Sequence, residues 1–84
     1  MPSFQVLYWQ DIPSQIKVWD DFDEVSMALP GRFIARIDQS AQQQGLTSAD
    51  DYLAQWRWSD PAERAGAVAD VAEAVRQELE AASP

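Results

Sequence analysis

The chain has 84 residues, no cysteine and no histidine, which excludes disulfides, thiolate chemistry, the usual zinc, haem and iron–sulfur ligand sets, and any Ser-His-Asp or Cys-His centre within it. Fourteen acidic residues against six basic ones leave a formal net charge of −8, which argues against nucleic acid and anionic membrane surfaces as partners and suits a basic protein surface. The length sets an expectation of a single domain over residues 1–84, in which four Trp, three Phe and two Tyr supply the large side chains that so small a core needs.

Residues 4–9, FQVLYW, are aromatic and β-branched and predict a strand. Phe4, Val6 and Tyr8 alternate with Gln5, Leu7 and Trp9. Apolar side chains on both faces predict a central place in a sheet. QDIPSQ then interrupts, because Pro13 donates no ladder bond and Asp11 and Ser14 favour turns. A second strand is expected over residues 15–20, which gives a hairpin spanning 4–19. The acidic run DDFDE lacks calcium-loop spacing and its central glycine, and reads as a solvated connector.

Val25, Met27 and Leu29 alternate with smaller residues and predict a third strand over 25–29. Pro30 marks a helix start, Phe33, Ile34, Ile37 and Ala41 follow helical spacing, and Gly45 marks the stop, so a helix is expected over 31–44. Thr47 or Ser48 caps a second helix over 48–56, with Asp50 or Asp51 completing the cap and Ala49, Tyr52, Leu53 and Trp56 as its apolar stripe. Around Trp56 and Trp58 the pattern also fits a short strand or an irregular turn. Asp60 is expected to cap a third helix over 61–81, with Pro61 at its first position and Glu63 reaching back. Ala65, Val68, Ala72, Val75 and Leu79 form its stripe, and Glu73, Arg76 and Glu80 are spaced for surface pairs. AASP reads as a frayed end.

The resulting expectation is an α+β fold: a small antiparallel sheet of about three strands packed by about three helices. Its core should contain Val6, Leu7, Ile16, Val25, Met27, Leu29, Phe33, Ile37, Leu53, Val68, Val75 and Leu79. No apolar run approaches membrane-spanning length, and the N-terminus lacks the basic start and apolar centre of a signal peptide, so the expected location is cytoplasmic.

The strand, LPGRF, helix, glycine and second capped helix over residues 24–56 resemble ribbon-helix-helix repressors. That resemblance implies a DNA-binding dimer whose paired strands enter the major groove. The outward residues on such a ribbon would be Glu24, Ser26 and Ala28, which are too short or too acidic for bidentate base contacts, and DDFDE beside them repels phosphate. A second resemblance runs through the whole chain. YWQDIPSQI, LPGRFIARIDQSAQQQG, and SADDYLAQWRW followed by an acidic alanine-rich segment resemble a small bacterial family labelled virulence-factor domain. The resemblance implies a stand-alone cytoplasmic domain of undetermined biochemistry, similar to accessory components encoded near one-carbon or corrinoid-linked enzymes. It makes Tyr8, Trp9, Asp11, Ile12, Pro13 and Gln15 the signature segment. KVWDDFDE stands where a more basic or glycine-rich connector is expected, which argues against an anion-binding role.

Few residues suit chemistry. Asp11 beside Trp9 is a carboxylate that an indole could desolvate, but this residue type in a turn is more often a backbone acceptor. Tyr8 has no neighbour in sequence that would make it an acid. Arg57 between Trp56 and Trp58 suits a stack on an indole, a bridge to Asp60 or an anionic ligand. The glycines are isolated and cradle no phosphate. No catalytic residue, cofactor or metal is therefore expected. The aromatic excess instead points to a surface, since Trp, Tyr and Arg dominate protein interfaces. The sequence predicts a non-enzymatic binding or accessory module that presents Tyr8, Trp9, Asp11, Ile12, Pro13, Gln15 and Trp19, with Arg57 and Trp58, to a larger protein bearing a basic patch. Trp9, Trp19 and Trp58 are the indoles expected to be partly exposed. The alternatives are the DNA-binding dimer and a small ligand-binding subunit with a pocket near Asp11, Arg57 and the tryptophans. Nothing in the pattern sets an oligomeric state.

Overall fold

The computed structural model describes residues 1–82. Strands β1 (Ser3–Trp9), β2 (Ile12–Trp19) and β3 (Glu24–Ala28) are followed by helices α1 (Gly31–Gln44) and α2 (Ala49–Leu53), the short strands β4 (Trp56–Trp58) and β5 (Ala62–Glu63), and helix α3 (Val68–Ala82). The fold is α+β, with one antiparallel five-stranded sheet in the order β3-β2-β1-β4 and β5 also on β1. The strand count thus exceeds the expected three, because residues 56–63 return to β1 as two short strands. Of the AASP end, Ala82 closes α3, while Ser83 and Pro84 lie outside the described residues.

The hairpin is tighter than the sequence suggests. β2 begins at Ile12, not residue 15, and Pro13 stands opposite Tyr8 in the ladder. The register shifts beside Leu7 and Tyr8, and such a bulge is where a strand tolerates a residue without an N–H. Only residues 10 and 11 form the turn, with Gln10 at a left-handed φ of 55°. Four contacts hold Gln10 there: its N–H donates to the Gln55 carbonyl, its carbonyl accepts from Arg57, and its amide meets those of Gln44 and Gln55.

Local signals bound α1 well. Pro30 precedes it, and Gly45 ends it at a φ of 72°, where the N–H groups of Gly45 and Leu46 bond the carbonyls of Gln42 and Ala41. Ser48 caps α2 by accepting from Asp51 N–H. That helix stops at Leu53, however, and Trp56 joins β4 opposite Trp9 instead of continuing the stripe. The third helix starts at Val68, well after Asp60 and Pro61. Residues 59–64 are held along β1 instead: Ser59 N–H donates to the Val6 carbonyl, Val6 N–H to Ser59 Oγ, and Arg64 N–H to the Pro2 carbonyl. These non-local bonds override the helix-start pattern, and Ala65 is exposed.

Gly66, at a φ of 129°, makes the corner from that segment into α3. A side chain is strained at this φ, and an added Cβ would lie 3.4 Å from the Val71 side chain. Gly66→Ala is expected to lower stability by about 1–3 kcal/mol, read as a shift of the denaturant midpoint at constant slope.

Pairing sorts the sheet into two faces. Phe4 and Val6 lie opposite Val18 and Ile16, which lie opposite Val25 and Met27. This face packs on Leu29, Phe33, Ile37 and Ala41 and on Val68, Val71, Ala72 and Val75. Val25, Met27 and Leu79 are partly buried against that core, Leu7 is half-buried, and Leu53 is 62 % exposed. Trp9, Ile12, Val18, Ala41, Val71 and Ala72 join the core instead.

Candidate functional site

The second face of the sheet is open except at the hairpin tip, where Trp9 and Ile12 are buried and Tyr52 of α2 packs on Trp9. Ala28, Gln15, Leu7 and Trp58 form one cross-strand row, Ser26, Lys17 and Gln5 the next, and Glu24, Trp19, Ser3 and Glu63 the third. None of these residues is buried. Trp19 and Trp58 stand at opposite corners, about 13 Å apart along the strands and about 10 Å across them. Trp58 is 44 % exposed and faces Leu7, so an indole and an aliphatic side chain meet solvent together.

An acidic corner adjoins Trp19. Between β2 and β3, Asp20 N–H donates to the Asp23 carbonyl at 2.9 Å, and the Asp20 carboxylate accepts the N–H groups of Phe22 and Asp23 at 2.8 and 2.7 Å. The turn holds Phe22 outward, 91 % exposed, between two aspartates. Lys17 lies 5.5 Å from the Trp19 ring centroid and 3.4 Å from the Glu24 carboxylate. Lys17, Trp19 and residues 20–24 line an open groove of about 380 Å³.

The Phe22 and Asp23 N–H groups hold the Asp20 carboxyl below its ordinary value. A carboxyl whose folded value is depressed favours the closed turn above its unfolded value, and that contribution fades as pH falls through the folded one. The Phe22 and Asp23 amide resonances are therefore expected to titrate together, with a midpoint below that of an ordinary Asp carboxyl.

At the other end of the hairpin the predicted residues separate. Trp9 has no exposed surface, which corrects its expected place on the surface. Its Nε1 donates to the Tyr52 carbonyl at 3.0 Å, and its ring lies 5.7 Å from that of Tyr52, which meets Trp56 edge-on at 6.1 Å. Burial, with the Asp38 charge, pushes the Tyr52 phenol up. Ile12 and Pro13 are buried as well, because the bulge and the two-residue turn draw both into the sheet. Arg57 stacks on Tyr8, 5.3 Å from its centroid, rather than on an indole, and donates to the Gln10 carbonyl at 3.1 Å. Asp11 is exposed at the turn.

Of the nine predicted contact residues, the open face therefore brings together Gln15, Trp19 and Trp58; Tyr8 and Arg57 brace the hairpin tip, with Asp11 beside them. Sequence reasoning missed Phe22 and Leu7. The signal for Phe22 was a lone aromatic inside an acidic run; Leu7 carried none, since which face of β1 is covered depends on helices far along the chain. Among the described residues, no group of three or more acidic side chains is arranged to hold a metal ion, and no helix is long and apolar enough to cross a membrane.

A family model described as "Virulence factor" matches residues 7–84. No curated protein and no solved structure matches the chain.

Proposed function

The chain belongs to the virulence factor family, and we propose that it is a non-enzymatic binding or accessory module that offers its open sheet face to a larger protein. One observation carries the reading: Trp19, Trp58 and Leu7 lie on the part of this face that no helix covers, where no residue of the three rows is buried, beside an exposed Phe22. Exposed indoles in a partly desolvated setting are what dominates protein recognition. The rim selects the partner. Asp20, Asp21, Asp23 and Glu24 crowd one corner, and Lys17 there is already engaged by Glu24. A complementary surface therefore carries Lys or Arg around an apolar pocket.

The test is affinity capture of the tagged chain from its native cell, beside a variant carrying Trp19→Ala and Trp58→Ala. A protein retained by the wild type, released by raised salt and lost from the variant is the expected result. An identical set of proteins on both baits would overturn the proposal.

A further inference from the structure

β3 is paired on one side only. The sheet order places it at an edge, with β2 as its neighbour. Two bonds fix the phase of that ladder. At one end Asp20 N–H donates to the Asp23 carbonyl, and at the other Leu29 N–H donates to the Ser14 carbonyl, both at 2.9 Å. Hydrogen-bonded and non-bonded pairs alternate along an antiparallel ladder. Counting inward from either end makes Val25 with Val18, and Met27 with Ile16, the bonded pairs. The backbone N–H and C=O groups of Glu24, Ser26 and Ala28 therefore point away from β2. Among the described residues, no other loop or side chain bonds them. Proteins block such edges with Pro, Lys or a bulge, and the sequence of β3, EVSMA, holds none of these.

We infer that this edge pairs with β3 of a second copy of the chain, antiparallel, with the two-fold axis at Ser26. In that register Ser26 meets Ser26, and Glu24 meets Ala28 of the second copy. Every outward N–H and C=O of both strands finds a partner, and no like charges stand opposite each other. The charges beyond the ladder match too. The acidic turn at residues 20–23 of one copy runs alongside residues 29–32 of the other, where α1 begins. That helix has no side-chain cap at Pro30, no acidic residue in its first turn, and Arg32 at its second position. Asp21 and Asp23 supply negative charge to the positive end of a helix that lacks its own. The edge is thus complementary to itself at its centre and at both ends, which no foreign strand is required to be. The two open faces then lie on the same side of one continuous sheet, so the Trp19 and Trp58 surface is presented twice.

This inference uses the strand edge and shares only Asp21, Asp23 and Glu24 with the proposed binding face, and it is tested on the chain alone, with no partner present. The chain contains no cysteine, so introduced thiols report it directly. In a bonded antiparallel pair the Cα atoms are about 5.5 Å apart, inside the disulfide range of about 4.4–6.8 Å. Ser26→Cys should therefore cross-link to itself under mild oxidation. Ala28→Cys should not, because its copy lies about 13 Å away along the strands. The wild type should sediment as a dimer. Ser26→Pro should be a monomer with an unchanged circular dichroism spectrum, since the lost N–H faces away from β2. If that variant does not fold, Ser26→Lys, which sets like charges across the axis, should be monomeric instead. Equal cross-linking of both cysteine variants, or a wild type that sediments as a monomer at every concentration, overturns the inference. The second result would leave the edge to a strand from another protein.

Discussion

Replacing Trp9 by alanine is expected to lower the unfolding free energy by about 3–5 kcal/mol. The side chain has no solvent exposure and is the largest in the core. Three losses act together: the buried area of an indole, its contact with the Tyr52 ring at 5.7 Å, and the bond from Nε1 to the Tyr52 carbonyl at 3.0 Å. The last also ties β1 to α2, a helix of five residues with no buried residue of its own. So short a helix does not persist in water without packing, so the region around Ala49 and Tyr52 should loosen first. Against a typical total of about 5–15 kcal/mol, the substitution removes a large share of the stability. Trp9→Phe keeps an aromatic ring but removes the Nε1 bond, leaving the Tyr52 carbonyl with the Gln55 N–H alone, and should cost about 0.5–1.5 kcal/mol for the lost bond. Chemical denaturation of the three proteins checks the order. A Trp9→Ala loss below about 1 kcal/mol would show that this indole is not packed as described.

The contrast between Trp9 and Trp58 shows where the sequence is legible. Elements with local boundary chemistry could be read directly. Pro30 and Gly45 bracket α1 because a fixed φ and a left-handed stop act within a few residues, and Ser48 caps α2 in the same way. The central place of β1 followed from its two apolar faces. Long-range pairing was not legible. Asp60, Pro61 and Glu63 carry every mark of a helix start, yet β5 pairs with β1 and delays α3 to Val68. Trp56 fits a helical stripe, but its place opposite Trp9 makes it a strand residue. The indoles follow the same logic. Trp9, Trp19 and Trp58 look alike in sequence, and the bulge beside Leu7 and Tyr8, with α2 docking on Trp9, decides which of them is buried. Of the expected surface, Trp9, Ile12 and Pro13 are buried, while Gln15, Trp19 and Trp58 stay accessible. The proposed binding face therefore centres on the Trp19 and Phe22 side, away from the Asp11 and Pro13 turn.

That relocation makes the largest functional effect separable from stability. Trp58→Ala together with Trp19→Ala should weaken binding to the captured partner by about 30-fold or more, the scale of an interface hot spot worth about 2 kcal/mol or more. The same pair should leave most of the fold's stability in place, because Trp58 is 44 % exposed and neither indole belongs to the buried cluster. Phe22→Ala isolates the contribution of the acidic corner: at 91 % exposure the ring has almost nothing to lose on the folded side. Any fall in affinity therefore reports contact with the partner. Reversing Asp21 and Asp23 to lysine should act chiefly on the association rate and flatten its salt dependence, whereas losing the indoles should act on the dissociation rate. Surface plasmon resonance resolves the two rates. If the indole variant dissociates as slowly as the wild type while the charge variant loses all binding, recognition is electrostatic and the open face is a bystander.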